Sequence, residues 1–237
     1  MQISHTPQNK IIPTPKEIKY LSNKKCLKLP KNIKVYSSDA SLRPIATIFV
    51  DQLNLLGHKH QLSFDKTTNA TFSIILDETL KTEEYQINID KSVIVSGGSY
   101  KAISSAMTSV LHLVEKKDDY TLFPMVEIKD YPDATFRGLL IDLARRWHSI
   151  NTLKKLVDMS AFYKLNYMQL HLTDDQSFTF PSKAYPKLAT KDRHYTKEEL
   201  VDLVNYAELR GITLIPEIDI PGPVSYTHLT LPTKVRV

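Results

Sequence analysis

Apolar side chains at Ile45, Ile48, Phe49, Leu53 and Leu56 recur every three or four positions, which predicts a helix over 42–56 with one buried face. A second stripe, Ile103, Met107, Val110, Leu111 and Val114, predicts another over 100–115. The intervening runs at 71–76, 85–89 and 93–96 have strand length, as does 33–36 ahead of the first helix, and 85–89 alternates apolar with polar side chains. Gly97 and Gly98 mark a turn. The segment IIPTPKEI at 11–18 carries two prolines, which forbid a regular helix and predict an extended stretch. Strands combined with two helices in this way predict a small α+β layer domain ending near Asp130.

From Thr135 the pattern becomes strict strand–helix alternation. Strand 138–142 is followed by a helical stripe of Leu153, Leu156, Val157, Ser160, Ala161 and Leu165, then by strand 167–173. Thr196 with Glu199 forms a capping-box signature, Leu200, Val204 and Ala207 continue the helix, and Gly211 stops it before strand 212–218. Successive strands joined by helices are parallel, because each crossover must return the chain to the same end of the sheet.

A length of 237 residues accommodates one domain and part of another, and 42% hydrophobic with 24% charged residues is a globular composition rather than a disordered one. The net charge of +5 is spread over many lysines without a basic–aromatic cluster, so no nucleic-acid partner is expected. Cys26 is alone, which excludes an intrachain disulfide and a cysteine-rich metal site. The leader MQISHTPQNK lacks the apolar core of a secretion signal, and no later run reaches the roughly 20 apolar residues of a membrane span.

In parallel α/β folds the chemistry sits at the carboxyl ends of the strands. Asp142 closes the first strand with Arg145 three residues on, Asp174 and Asp175 close the second, and Asp219 closes the third. If the sheet curls into a barrel, these acids converge on one mouth. Carboxylates around a guanidinium suit a sugar, whose adjacent hydroxyls both donate and accept. Against this, Asp at a strand end is also a common turn former and helix cap, and a lone Arg is commonly a surface ion-pair partner. His171 alternates with Leu170 and Leu172, so it faces the other side of its strand, and a hydrogen-bonded core histidine is the plain reading of it. The phosphate loop, the dinucleotide fingerprint, the zinc helix HExxH and the nucleophile elbow GxSxG are all missing from the sequence.

The run FRGLLIDLARRWHS from Phe136 resembles the first barrel strand of family 20 glycoside hydrolases, the β-N-acetylhexosaminidases. KLNYMQLHLTDDQSF from Lys164 is similar to their second strand, and YTKEELVDLVNYAELRGITLIPEIDIPG from Tyr195 to their second helix and third strand. IIPTPKEI, EEYQINI and the Gly-Gly turn before a helix resemble the small domain that precedes the barrel. The resemblance implies an α+β domain over 1–132 and the start of a (β/α)8 TIM barrel, about three strands of eight, over 133–222. It further implies hydrolysis of terminal N-acetylglucosamine or N-acetylgalactosamine from β-linked glycans, with retention, without metal or cofactor, and with the substrate's acetamido oxygen as nucleophile. By position Arg145 would grip the sugar's 3- and 4-hydroxyls, Asp174 would support the acid, and Asp175 and Asp219 would belong to the same network. No membrane span is implied, and a periplasmic or secreted location stays open.

Two positions depart from the family pattern. Arg146 stands where His is usual, and Pro223 follows Pro221-Gly222 where His is expected. VSYTHLTLPTKVRV after Pro223 matches nothing in the family pattern, so 223–237 is expected to be a foreign tail, packed poorly. The Asp-Glu catalytic pair is expected beyond this interruption, which would leave no catalytic residue in the chain and make it an inactive fragment. Two rival readings are a non-catalytic carbohydrate-binding protein on the same fold and an unrelated α/β barrel enzyme.

Overall fold

Alternation in YQINI and VIVSG gives two strands whose inward residues are apolar apart from the Tyr85 hydroxyl, and two helices carry matching stripes to cover them. In a computed structural model, which describes residues 9–22, 25–67 and 70–219, these segments form the first of two units. That unit contains β1 (Glu17–Tyr20), β2 (Cys26–Lys28), β3 (Asn32–Ser37), α1 (Arg43–Leu55), β4 (Gln61–Phe64), β5 (Phe72–Leu76) and β6 (Tyr85–Ile89). It continues with β7 (Val93–Gly97), α2 (Tyr100–His112), β8 (Glu115–Lys117), β9 (Tyr120–Pro124) and β10 (Val126–Asp130). The main sheet runs β1-β10-β6-β7-β5-β3-β4, antiparallel from β1 to β7 and parallel from β7 to β4.

Ile45, Phe49 and Leu53 of α1 and Ile103, Met107 and Val110 of α2 share one core with Ile33, Phe72, Ile74, Ile87 and Val95. Phe49 tilts against Phe72 with ring centroids 5.3 Å apart. α2 begins where Ser99 Oγ accepts from the Ala102 amide at 3.2 Å. It ends at His112 rather than at the predicted 115, because Glu115–Lys117 is drawn into an antiparallel hairpin with β9, with Asp118 in the left-handed region at φ 54°.

The second unit holds β11 (Gly138–Asp142), α3 (Ile150–Phe162, its last residues assigned to the first unit), β12 (Tyr167–His171), the hairpin β13 (Thr173–Asp174) and β14 (Ser177–Phe178), α4 (Lys197–Glu208) and β15 (Thr213–Glu217). The three long strands are parallel in the order β11-β12-β15, as the alternation requires. The capping box is made: Thr196 N donates to Glu199 Oε2 at 2.8 Å and Glu199 N to Thr196 Oγ1 at 3.1 Å. Gly211 takes φ 77°, the left-handed value that ends a helix. The second strand is shorter than 167–173, because Thr173 opens a separate hairpin. The segment 223–237 and the Pro221-Gly222-Pro223 junction lie outside the described residues.

Gly98 sits where no side chain fits: an added Cβ would lie 2.1 Å from the Lys81 carbonyl oxygen and 2.7 Å from that of Leu80. Gly98→Ala must push backbone aside, and overpacking of this kind costs about 1–3 kcal/mol. Urea unfolding should show a lowered midpoint with an unchanged slope; an unchanged midpoint would contradict the close approach.

Candidate active site at the carboxyl edge of the parallel sheet

Register decides which side chains meet here. Asp142 pairs across to His171, and His171 to Glu217, so the last residues of β11, β12 and β15 form one row on one face of the sheet. Two residues earlier on the same face, Gln169 donates from Nε2 to Glu217 Oε2 at 2.7 Å. Beyond β11 the amides of Leu143 and Ala144 both donate to the His171 carbonyl, at 3.0 and 3.2 Å. That bend places Arg145 above the row.

Asp142 makes the bend rigid. Its Oδ1 accepts from the Arg145 amide at 3.0 Å and its Oδ2 from Arg145 Nη1 at 2.7 Å. Arg145 Nη2 is also paired with Asp174 Oδ2, so one guanidinium bridges the ends of two strands. Exposure divides the pair: the Asp174 side chain is 3% exposed and that of Arg145 is 53% exposed. The carboxylate is a buried anchor, and the guanidinium faces solvent.

Asp174 is saturated from both sides, with Oδ1 accepting the Asp175 amide at 2.7 Å and Oδ2 also facing His171 Nε2 at 3.1 Å. The second ring nitrogen of His171, Nδ1, lies 3.2 Å from Glu217 Oε1. Burial alone would lower the His171 pKa, but hydrogen bonds and charge from Asp174 and Glu217, with Asp142 behind, raise it above its ordinary value. Burial would likewise raise Asp142; the Arg145 amide and guanidinium outweigh that and hold its pKa below the usual carboxylate range.

Of the residues singled out in the sequence, Arg145 and Asp174 are brought into direct contact, with Asp142 as the second support. Asp219 stands at the same edge and is tied in by its backbone: its amide donates to Thr173 Oγ1 at 2.7 Å. Asp175 is exposed and contributes its amide. Arg146 is exposed as well. His171 is buried and hydrogen-bonded, as its plain reading holds, and it also lies within the charged row beside Glu217, which the sequence reading does not single out. Counting the parallel register from the strand ends would have found both.

Among the described residues no cluster of His, Cys, Asp and Glu has a metal-holding arrangement, and no helix is long and apolar enough to cross a membrane.

The Asp142 shift fixes a pH dependence. A carboxyl whose folded pKa is lowered stabilises the fold above its unfolded value, here 3.8, and loses that contribution as pH falls through the folded value. The urea-midpoint advantage of the native chain over Asp142→Asn should therefore shrink on acidification below about pH 4. An advantage that is constant from neutral to acid would contradict the Asp142–Arg145 pairing.

Comparison with known proteins matches both units to one family. The description "Glycosyl hydrolase family 20, domain 2" fits residues 8–131, and "Glycosyl hydrolase family 20, catalytic domain" fits residues 135–236, a range that takes in most of 223–237. A β-hexosaminidase of Vibrio furnissii is 30% identical over 90% of this chain and 38% of its own length. One from Porphyromonas gingivalis is 34% identical over 78% of this chain and 27% of its own. The chain thus spans well under half the length of these relatives. Among solved structures, the β-N-acetylhexosaminidase of Bacteroides fragilis superposes with a TM-score of 0.82 at 28% identity, over 95% of this chain and 48% of that one. The exo β-N-acetylglucosaminidase of Vibrio harveyi, at 24% identity, shares the fold with a TM-score of 0.83 over 98% of this chain and 39% of that one. With each unit matched in chain order, and with the first match alone covering more than half of the residues, the chain belongs to glycosyl hydrolase family 20.

Proposed function

We propose that this chain is the preceding domain and the beginning of the catalytic barrel of an enzyme that removes terminal, non-reducing N-acetyl-β-hexosamine residues from glycans. In this reading the domains are 1–132 and 133–222, beside family matches over 8–131 and 135–236. The observation that carries the reading is Arg145, a half-exposed guanidinium whose inner edge is anchored on a buried carboxylate at the strand ends. A planar fork of N–H donors fits two vicinal hydroxyls, and anchoring by Asp142 and Asp174 fixes that fork before the sugar arrives.

In this reading Arg145 holds the 3- and 4-hydroxyls of the sugar, Asp174 supports the proton donor, and Asp175 and Asp219 complete the polar rim. The substrate's acetamido oxygen attacks the anomeric carbon with retention. In this reading the Asp-Glu pair that orients the acetamido group and protonates the leaving oxygen lies outside this chain, which covers 38% and 27% of the length of two β-hexosaminidase relatives. Residues 1–237 by themselves then do not turn over substrate, since general acid assistance alone contributes about 10²- to 10⁴-fold.

The test compares this chain with a longer one carrying the remainder of a family 20 catalytic domain, both assayed on an aryl β-N-acetylglucosaminide. The longer chain should hydrolyse it and the short chain should stay at background. In the longer chain Arg145→Ala should lower kcat/KM about 10- to 100-fold, the loss expected for hydrogen bonds to a charged group. Comparable turnover by both chains would overturn the placement of the acid pair, and an unaffected Arg145→Ala would overturn the role of Arg145.

A further inference from the structure

His171 stands between two carboxylates, with Nε2 toward Asp174 Oδ2 at 3.1 Å and Nδ1 toward Glu217 Oε1 at 3.2 Å. An ionised carboxylate only accepts, so a neutral imidazole, with one N–H and one lone pair, would aim that lone pair at a negative oxygen. Gln169 does not relieve the conflict, because its amide Nε2 is directed to the other oxygen of Glu217. Both ring nitrogens are thus placed to donate, which requires the imidazolium. We propose that His171 is a positioning residue of this site: as an imidazolium it ties Asp174 to Glu217 and so fixes the carboxylate on which Arg145 is anchored.

The charged and titratable groups around the ring come from every neighbouring strand. Asp142 faces it from β11, Asp174 from β13 and Glu217 from β15, with Arg145 paired to the same Asp174 oxygen. Two cations then sit among three carboxylates, and Asp174 Oδ2 is shared between the cations. Losing one ring proton would leave a lone pair facing Asp174 or Glu217 and would remove one of the two positive charges beside Asp174, so that the tie holding the Arg145 anchor in place is broken. The inference rests on the reading of Arg145 as the sugar-holding group. It adds that sugar binding weakens as pH rises through the His171 midpoint, since a His stabilised in its charged form loses its contribution as it deprotonates.

The test is a pH titration of this chain labelled with ¹⁵N-histidine and ¹⁵N-arginine, with the His171 signals assigned by His171→Gln. At pH 6 both His171 nitrogens should carry protons, and the midpoint should lie above the ordinary 6.5. Glu217→Gln and Asp174→Asn should each lower that midpoint, and the Arg145 Nε signal should move with it. A bare ring nitrogen on His171 at pH 6, or an Arg145 signal indifferent to the His171 midpoint, would overturn the assignment. A purely structural histidine would give one of those two results, and the native chain alone decides between them if either variant fails to fold. Added N-acetylglucosamine separates this inference from the proposed function. Coupled titration that the sugar leaves unchanged supports the positioning role and counts against the sugar site. Sugar-induced shifts at Arg145 with His171 neutral at pH 6 keep the site and remove His171 from it.

Discussion

Parallel pairing between three strands is the constraint from which the site follows. Because paired residues in adjacent strands point to the same face, the registers Asp142↔His171 and His171↔Glu217 force an acid, an imidazole and an acid into one row. A slip of one residue on β12 would put Leu170 or Leu172 in that row and would turn His171 toward the opposite face. The register itself is held at the strand starts, where Asn166 accepts from the Arg137 amide through Oδ1 at 2.9 Å and donates its own amide to the Arg137 carbonyl at 2.9 Å. Structure far from the chemistry thus fixes which charges meet.

Exposure then separates anchoring from recognition. Exposed ion pairs contribute about 0–1 kcal/mol, and the Arg145–Asp142 pair is of that kind. Asp174 differs because its side chain is almost fully buried, and a buried carboxylate is tolerated only when its oxygens are matched by donors. Arg145, His171 and the Asp175 amide supply them. A guanidinium held on its inner edge in this way would lose little freedom if a ligand engaged its outer edge.

Long periodic segments were legible in the sequence. Both helices of the first unit, the Thr196–Glu199 cap and the strands ending near Asp142, His171 and Glu217 could be read from spacing and capping chemistry. Short strands were not: Cys26–Lys28, Gln61–Phe64 and Glu115–Lys117 are too brief and too polar to carry a period, and only pairing with distant segments makes them strands. Among the residues gathered at the carboxyl edge, Asp142, Arg145 and Asp174 stand out in the sequence because strand ends are where chemistry is sought. His171 was not, because its character depends on Glu217, 46 positions away in the chain, and register is a property of three strands together.

The most direct measurement of the account as a whole is a crystal structure of this chain with bound N-acetylglucosamine. The pyranose should lie at the carboxyl edge of β11, β12 and β15, its ring hydroxyls within hydrogen-bond reach of Arg145, and Asp174 still shared between Arg145 and His171. A sugar seated elsewhere on the chain, or Arg145 turned away from Asp174 to meet it, would contradict the claim that the row is assembled in advance to hold a hexosamine.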